Sequence, residues 1–183
     1  MIKPLLNKIF SFYAAVTARA NDDLTARRRR VAMSVIEGYN EWKIEKIMAP
    51  HAPECTHQLL PASLKYPELG YQAYKSFFSS MMPYFRNLKA TVQDVFDDGT
   101  ENKVVLTCLA HADTAIGPYN NEYIFMLYFD KDCHKVNKIL EYVDSAYALE
   151  FFPRLRAYMS ESEGQDWASR PAVSDETNLE AHV

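Results

Sequence analysis

The chain has 183 residues, enough for one domain with a buried core, and its apolar and charged fractions are ordinary for a globular protein. A net charge of −4 gives no electrostatic support to nucleic-acid binding. The three cysteines lack CxxC or His/Cys metal spacing, which argues against a disulfide framework and a zinc site and fits a reducing compartment.

The first twenty residues have some features of a signal peptide. They contain no acidic residue, and Ala18-Arg19-Ala20 is similar to a cleavage site. However, the apolar run from Ile9 to Val16 is short and contains Ser11. We therefore expect residues 1–20 to be an N-terminal extension that forms a docking helix, and we expect a cytoplasmic protein. No segment approaches the ~20 apolar residues of a membrane span.

The first half of the chain reads mainly as helices. Asn21 or Asp22 can cap a helix that runs to about Trp42, and the basic run Arg27–Arg30 within it is interpreted as a solvated helix face rather than a phosphate-binding patch. Apolar spacing then predicts a short helix at 44–48, a short strand at 55–60 and a helix from 71 to 81 that stops near a proline.

The second half reads mainly as strands. Alternating and apolar runs predict strands at 88–96, 103–114, 122–130 and 136–143, followed by a helix that Asp144 or Ser145 caps. Residues 160–183 are polar and acidic and are expected to be disordered. Helices followed by a meander of strands indicate an α+β domain over residues 21–159.

The strand at 122–130 is apolar on both faces. Tyr123 and Phe125 lie on one face, whereas Ile124 and Met126 lie on the other. Both faces should therefore be covered. One face can meet the helices and enclose a pocket for a small hydrophobic molecule. The other has no remaining helix to cover it, which predicts a homodimer through the sheet face.

Glu141 shares a strand face with Ile139 and Val143. A carboxylate that points into an apolar interior costs free energy unless it is paired, protonated or used in catalysis, so Glu141 is a candidate for acid–base chemistry. The alternative is a structural glutamate that is bonded to a lysine or tyrosine across the sheet, or that faces solvent.

Three further residues are candidates on the same grounds. His57 lies between Cys55 and Leu59 on its strand face, where it can shuttle protons or simply serve as a satisfied core histidine. Tyr119 and Tyr123 can offer hydroxyls to a ligand or only pack. The sequence contains no GxGxxG, P-loop, HExxH or GxSxG motif, so the enzyme classes that these motifs mark are unsupported.

Several longer stretches resemble the fungal SnoaL-like family. The resemblance covers about residues 25–159, and the stretches that carry it are Gly38-Tyr39-Asn40-Glu41-Trp42, Ile44 to Met48, Ala52 to Pro61, Ala112 to Tyr123, Glu141 to Tyr147 and Glu150 to Leu155. The resemblance implies an NTF2-like cone, usually dimeric, in which a curved, mainly antiparallel sheet wraps around the N-terminal helices. It also implies action without cofactors, as an isomerase or cyclase on polyketide, meroterpenoid or indole-alkaloid intermediates.

Members similar to the brevianamide-type semipinacolase use two tyrosines four apart, a glutamate on the last strand and an arginine ahead of the first strand. Tyr119, Tyr123 and Glu141 match the first three. Residues 43–57 contain no arginine, and His57 is a candidate for the missing polar role. The expected substrate-binding set is Trp42, Met48, Phe77, Phe125 and Asp144, although Asp144 can instead cap the last helix.

Three functions stay open at this point. The leading expectation is a cofactor-free isomerase or cyclase in which Glu141 and His57 exchange a proton with the substrate while Tyr119 and Tyr123 bind a carbonyl or hydroxyl. The second is a dehydratase or epoxide hydrolase of the same fold, although no clear Asp-Arg-Asp set for a fixed water is present. The third is a binding protein without catalysis, because fold alone does not set function.

Overall fold

The computed structural model describes residues 3–162, so the predicted disorder of residues 163–183 lies outside the described part. The chain alternates between helices and strands before it ends in a four-stranded meander and a last helix. The helices are α1 (Lys3–Glu41), α2 (Ile44–Met48), α3 (Tyr71–Met81) and α4 (Ser145–Glu161). The strands are β1 (His51–Leu60), β2 (Leu69–Gly70), β3 (Phe85–Asp98), β4 (Lys103–Thr114), β5 (Gly117–Phe129) and β6 (Val136–Val143).

The strands form one sheet in the order β2-β1-β6-β5-β4-β3. Every neighbouring pair is antiparallel except β1 and β6, which run parallel. Parallel neighbours need a long connection, and here most of the domain lies between the two strands. The predicted α+β architecture with a mainly antiparallel sheet is confirmed.

The sheet bends around its helices. The register of β3 against β4 shifts twice, between Arg86 and Lys89 and between Val92 and Asp94. Such bulges bend a strand and increase its twist, so the sheet acquires a concave inner face. Leu106, Leu127 and Ile139 lie on that face and are fully buried against residues of α1 and α2.

Helix α1 begins much earlier than the sequence pattern predicts. It runs unbroken from Lys3, so the predicted caps Asn21 and Asp22 lie inside the helix, and the expected separate docking helix is its first half. Side chains from Ala14 to Asp23 are exposed. An alanine- and arginine-rich sequence favours helix strongly enough to continue through a potential cap. Among the helices of residues 3–162, none is long and apolar enough to cross a bilayer.

The basic run on α1 is only partly a solvated face. Arg28 is buried, and its guanidinium forms an ion pair with the buried carboxylate of Asp97 at the end of β3. Its Nε–H donates to Asp97 Oδ1 at 2.8 Å, and Nη1 lies 3.4 Å from Asn102 Oδ1. The prediction of full solvation is wrong for Arg28, because the β3–β4 turn folds over this part of the helix.

The junction between α1 and α2 directs one aromatic side chain inward. Trp42 has φ of 48°, a left-handed conformation that ends helices, and its Nε1–H donates to Met82 O at 3.2 Å. Gly38 permits the close approach of the two helices, since a Cβ there would lie 2.6 Å from the carbonyl oxygen of Lys46. The indole of Trp42 is thereby placed against the inner face of the sheet.

Candidate active site

A cavity of about 450 Å³ lies between the inner face of the sheet and helices α1, α3 and α4. Trp42, Phe77 and Phe125, three residues that the sequence analysis assigns to substrate binding, all line it. Further aromatic walls come from Tyr39, Tyr74 and Phe78. A chamber of this size, with aromatic walls and few polar groups, suits a small apolar organic molecule.

The other two residues of that set lie elsewhere. Met48 is buried in the hydrophobic core and does not reach the cavity. Asp144 is the N-cap of α4, and its carboxylate accepts hydrogen bonds from the N–H groups of Ala146 and Tyr147 at 3.0 and 3.2 Å. The structure therefore favours the capping interpretation of Asp144 and places Met48 in the core.

His57 and Glu141 face each other inside the cavity. His57 Nε2 lies 2.5 Å from Glu141 Oε2, and the two side chains are 5% and 12% exposed. In the parallel register Leu59 of β1 lies beside Glu141 of β6. His57 is two residues before Leu59 and points to the same face, so it lies diagonally across from Glu141. A hydrogen bond between an imidazole and a carboxylate away from bulk water is strong, and it provides a route for a proton.

The imidazole of His57 packs against the ring of Tyr74. The Tyr74 ring stacks on the imidazole with centroids 4.1 Å apart, and the Tyr74 hydroxyl lies 2.6 Å from that of Tyr39. Burial raises the pKa of both Tyr39 and Tyr74 above the ordinary value for a phenol. These hydroxyls therefore stay protonated and can donate hydrogen bonds within the cavity. The sequence pattern does not predict this pair, because Tyr39 lies on α1 and Tyr74 on α3, and the two side chains meet only in the tertiary structure.

Tyr119 and Tyr123 form a second pair of hydroxyls. They lie four residues apart on the inner face of β5, and their hydroxyl oxygens are in hydrogen-bond contact. Burial raises the pKa of each phenol, so both remain O–H donors at neutral pH. One hydroxyl donates to the other, which leaves one proton of the pair available to a ligand.

Asn121 holds the Tyr119–Tyr123 pair in place, a role that the sequence pattern does not predict. It lies between the tyrosines on the same strand face and is buried. Its Nδ2–H donates to Tyr119 Oη at 3.1 Å, and its Oδ1 accepts the backbone N–H of Asp144 at 3.1 Å. A polar residue on the inward face of β5 was the available signal. Because Asn121 bridges β5 and the start of α4, it orients Tyr119.

The edge of the cavity carries an arginine from a part of the chain where none was expected. Arg156 of α4 lines the cavity, and its Nη1–H donates to Tyr66 Oη at 2.9 Å. The sequence lacks an arginine over residues 43–57, ahead of and along the first strand.

Within residues 3–162, no group of three or more His, Cys, Asp or Glu side chains is arranged to hold a metal ion.

The chain matches no family model. It is 33% identical over 131 residues to core atranone cluster protein 11 from Stachybotrys chlorohalonatus. The aligned region covers 72% of this chain and 98% of that protein. It is also 30% identical to the protein named monooxygenase AacuP from Aspergillus aculeatus, over 70% of this chain and 88% of that protein.

Solved structures show the same fold at lower identity. The BvnE pinacolase from Penicillium brevicompactum aligns with a TM-score of 0.70 at 23% identity, over 73% of this chain and 94% of that one. PrhC from Penicillium brasilianum aligns with a TM-score of 0.69 at 22% identity, over 75% and 93%. A SnoaL-like protein from Shewanella denitrificans aligns at 0.58 and 11% identity, over 69% and 97%. The expected NTF2-like, SnoaL-like fold is confirmed.

Proposed function

This chain belongs to the fungal SnoaL-like family, and we propose that it is a cofactor-independent isomerase or cyclase acting on a small polycyclic intermediate of secondary-metabolite biosynthesis. The observation that carries the proposal is the His57–Glu141 pair, 2.5 Å apart in an aromatic cavity that Tyr119 and Tyr123 also line. An acid–base pair and neutral hydroxyl donors in one chamber are what a proton-transfer isomerisation needs. The name of the BvnE pinacolase gives the proposal further support.

In the proposed reaction Glu141 exchanges a proton with the substrate. One carboxylate oxygen is bonded to His57, and the other can take a proton from a carbon or hydroxyl of the ligand. The same proton returns at another atom of the ligand, so the product keeps the mass of the substrate. With its proton on Nε2, His57 donates a hydrogen bond to the carboxylate and stabilises the form that accepts the proton.

The Tyr119–Tyr123 pair binds the oxygen at which charge develops. The available hydroxyl proton of the Tyr119–Tyr123 pair can donate to a carbonyl as it becomes an oxyanion. Because burial raises the pKa of both phenols, they act as hydrogen-bond donors rather than as bases. The aromatic walls exclude water and hold a reactive intermediate in one geometry, which accounts for a further part of the rate.

Metabolite profiling of the source organism with and without the gene tests the reaction type. Loss of a product together with accumulation of a species of equal mass supports the isomerase or cyclase. An accumulating species one water heavier than the lost product assigns a dehydratase, and one water lighter assigns a hydrolase. A species one oxygen atom lighter assigns the oxygenation that the name of AacuP suggests. An unchanged profile under conditions of expression assigns a binding protein.

The accumulated species then serves as substrate for the purified protein. Glu141→Gln keeps the shape and a hydrogen-bond acceptor for His57 but removes the proton-accepting carboxylate, so we expect turnover to fall about 10²- to 10⁴-fold. Glu122→Gln is the matched control, since Glu122 is exposed on the same sheet. Unchanged turnover in Glu141→Gln would rule out the mechanism.

A further inference from the structure

Arg156, an exposed residue, is the one arginine or lysine that lines the cavity among the described residues. Apart from the histidine His57, Arg156 and Glu141 are the charged side chains among the described residues that line it. Glu141 belongs to the sheet, whereas Arg156 projects from the second half of α4. The two opposite charges therefore stand on different walls of an otherwise mainly apolar chamber, and a ligand inside can meet both.

Tyr66 holds the guanidinium at the edge of the cavity. Arg156 Nη1–H donates to Tyr66 Oη at 2.9 Å, and the guanidinium carbon lies 5.9 Å from the centroid of the Tyr66 ring. Tyr66 itself is fixed to β1, because Gln58 Nε2–H donates to its backbone carbonyl at 2.9 Å. A cation over an aromatic face is held by the ring quadrupole as well as by the hydrogen bond.

Protein acceptors among residues 3–162 take up little of the hydrogen-bonding capacity of Arg156, which is exposed. A guanidinium has five N–H donors, and within residues 3–162 the one acceptor that contacts it is the Tyr66 hydroxyl. The nearest acidic residues along α4 are Glu150, which pairs with Arg154 instead at 3.4 Å, and the exposed Glu161. The remaining donors form a planar fork that matches the geometry of a carboxylate.

We propose that Arg156, positioned by Tyr66, binds an anionic oxygen of the substrate. The substrate class is then an apolar skeleton with a carboxylate or another acidic oxygen at the end remote from the reacting atoms. Arg156 fixes one end of the molecule at the edge of the cavity, and the reacting carbon lies against Glu141, His57 and the Tyr119–Tyr123 hydroxyls. This assignment of substrate class rests on the proposed function, but the anion site itself can be measured by binding alone.

Equilibrium dialysis with two matched probes tests the proposal. The probes are 2-naphthoate and its methyl ester, which share the apolar skeleton and differ in charge. We expect Arg156→Gln to weaken binding of 2-naphthoate about tenfold and to leave binding of the ester within about twofold. Arg156→Lys should retain part of the preference, since it keeps the charge without the fork. Arg154→Gln is the matched control and should change neither affinity, because Arg154 is exposed like Arg156 but does not line the cavity.

Three results would overturn the anion site. Equal weakening of both probes in Arg156→Gln would make Arg156 a wall residue, and no change in either would show that it binds no ligand oxygen. Failure of the wild-type protein to hold 2-naphthoate at millimolar concentration would exclude the site as well. The outcome is separable from the proposed function. Unchanged turnover in Glu141→Gln refutes the chemistry without touching the naphthoate preference, and loss of that preference leaves the chemistry intact.

Discussion

The buried histidine beside the active site makes stability depend on pH. His51 on β1 is 4% exposed, and its ring lies against Tyr74, with centroids 5.7 Å apart. Burial, reinforced by the nearby His57, lowers the pKa of His51 to about 4. In the unfolded chain a histidine has a pKa of about 6.5. Replacing His51 with leucine removes this titrating group and keeps an apolar side chain of similar size.

The sign and size of the effect follow from linkage. The folded pKa is below the unfolded one, so the unfolded state binds the proton more tightly. Stability is therefore lost as the pH falls from about 6.5 towards 4. For these two pKa values the loss due to His51 between pH 7 and pH 4.5 is about 2.5 kcal/mol. His51→Leu should lose about that much less stability than the wild type over the same interval.

Urea unfolding at pH 7 and pH 4.5 measures the difference. Groups remote from His51 titrate alike in both proteins, so they cancel in the comparison. His111→Gln is the control, because His111 is exposed on the outer face of β4 and its replacement should leave the pH dependence as in the wild type. If His51→Leu and the wild type lose equal stability on acidification, His51 is not held neutral by burial and the reasoning fails.

Two further predictions concern packing and assembly. Leu106→Ala should lower the free energy of unfolding by about 2–5 kcal/mol, because Leu106 is fully buried. Leu149→Ala is the control and should lower it by less than about 1 kcal/mol, because Leu149 is 63% exposed. Equal losses of the two variants in chemical denaturation would contradict the prediction. The outer sheet face exposes Leu109, Ile124 and Tyr142, and we keep the prediction that it forms a homodimer. Ile124→Lys should then sediment as a monomer at concentrations where the wild type is a dimer, and a monomeric wild type would remove the prediction.

Local patterns were sufficient to predict most elements. The bounds of α2, β4 and β6 agree with the pattern, and α3 and the cap of α4 lie where expected. The observed strand ends differ from the predicted ones where the alternation is weak. Strand β5 begins at Gly117 rather than Glu122, and β3 extends beyond both ends of its predicted span. Pairing with a neighbouring strand continues a ladder past the residues whose own alternation is clear, so tertiary hydrogen bonds set these ends.

The contacts of the candidate site were not predictable in the same way. The alternation in β1, β5 and β6 indicates that His57, Tyr123 and Glu141 point inward, but it does not say which strands are neighbours. The 2.5 Å contact between His57 and Glu141 requires β1 to join β6 in parallel, across 84 residues of sequence. The position of Arg156 was not predictable for the same reason, since it depends on how α4 packs at the edge of the cavity.

The sequence by itself determined the fold class and the inward direction of the acid–base candidates. Strand alternation and helix periodicity are local, because each follows from the geometry of a few successive residues. Only the tertiary structure decided that Met48 belongs to the core and that Asp144 caps α4. It also decided that Tyr74 and Arg156 line the cavity and that Asn121 donates to Tyr119. Those roles depend on distances between elements far apart in the chain, and no local periodicity encodes such distances.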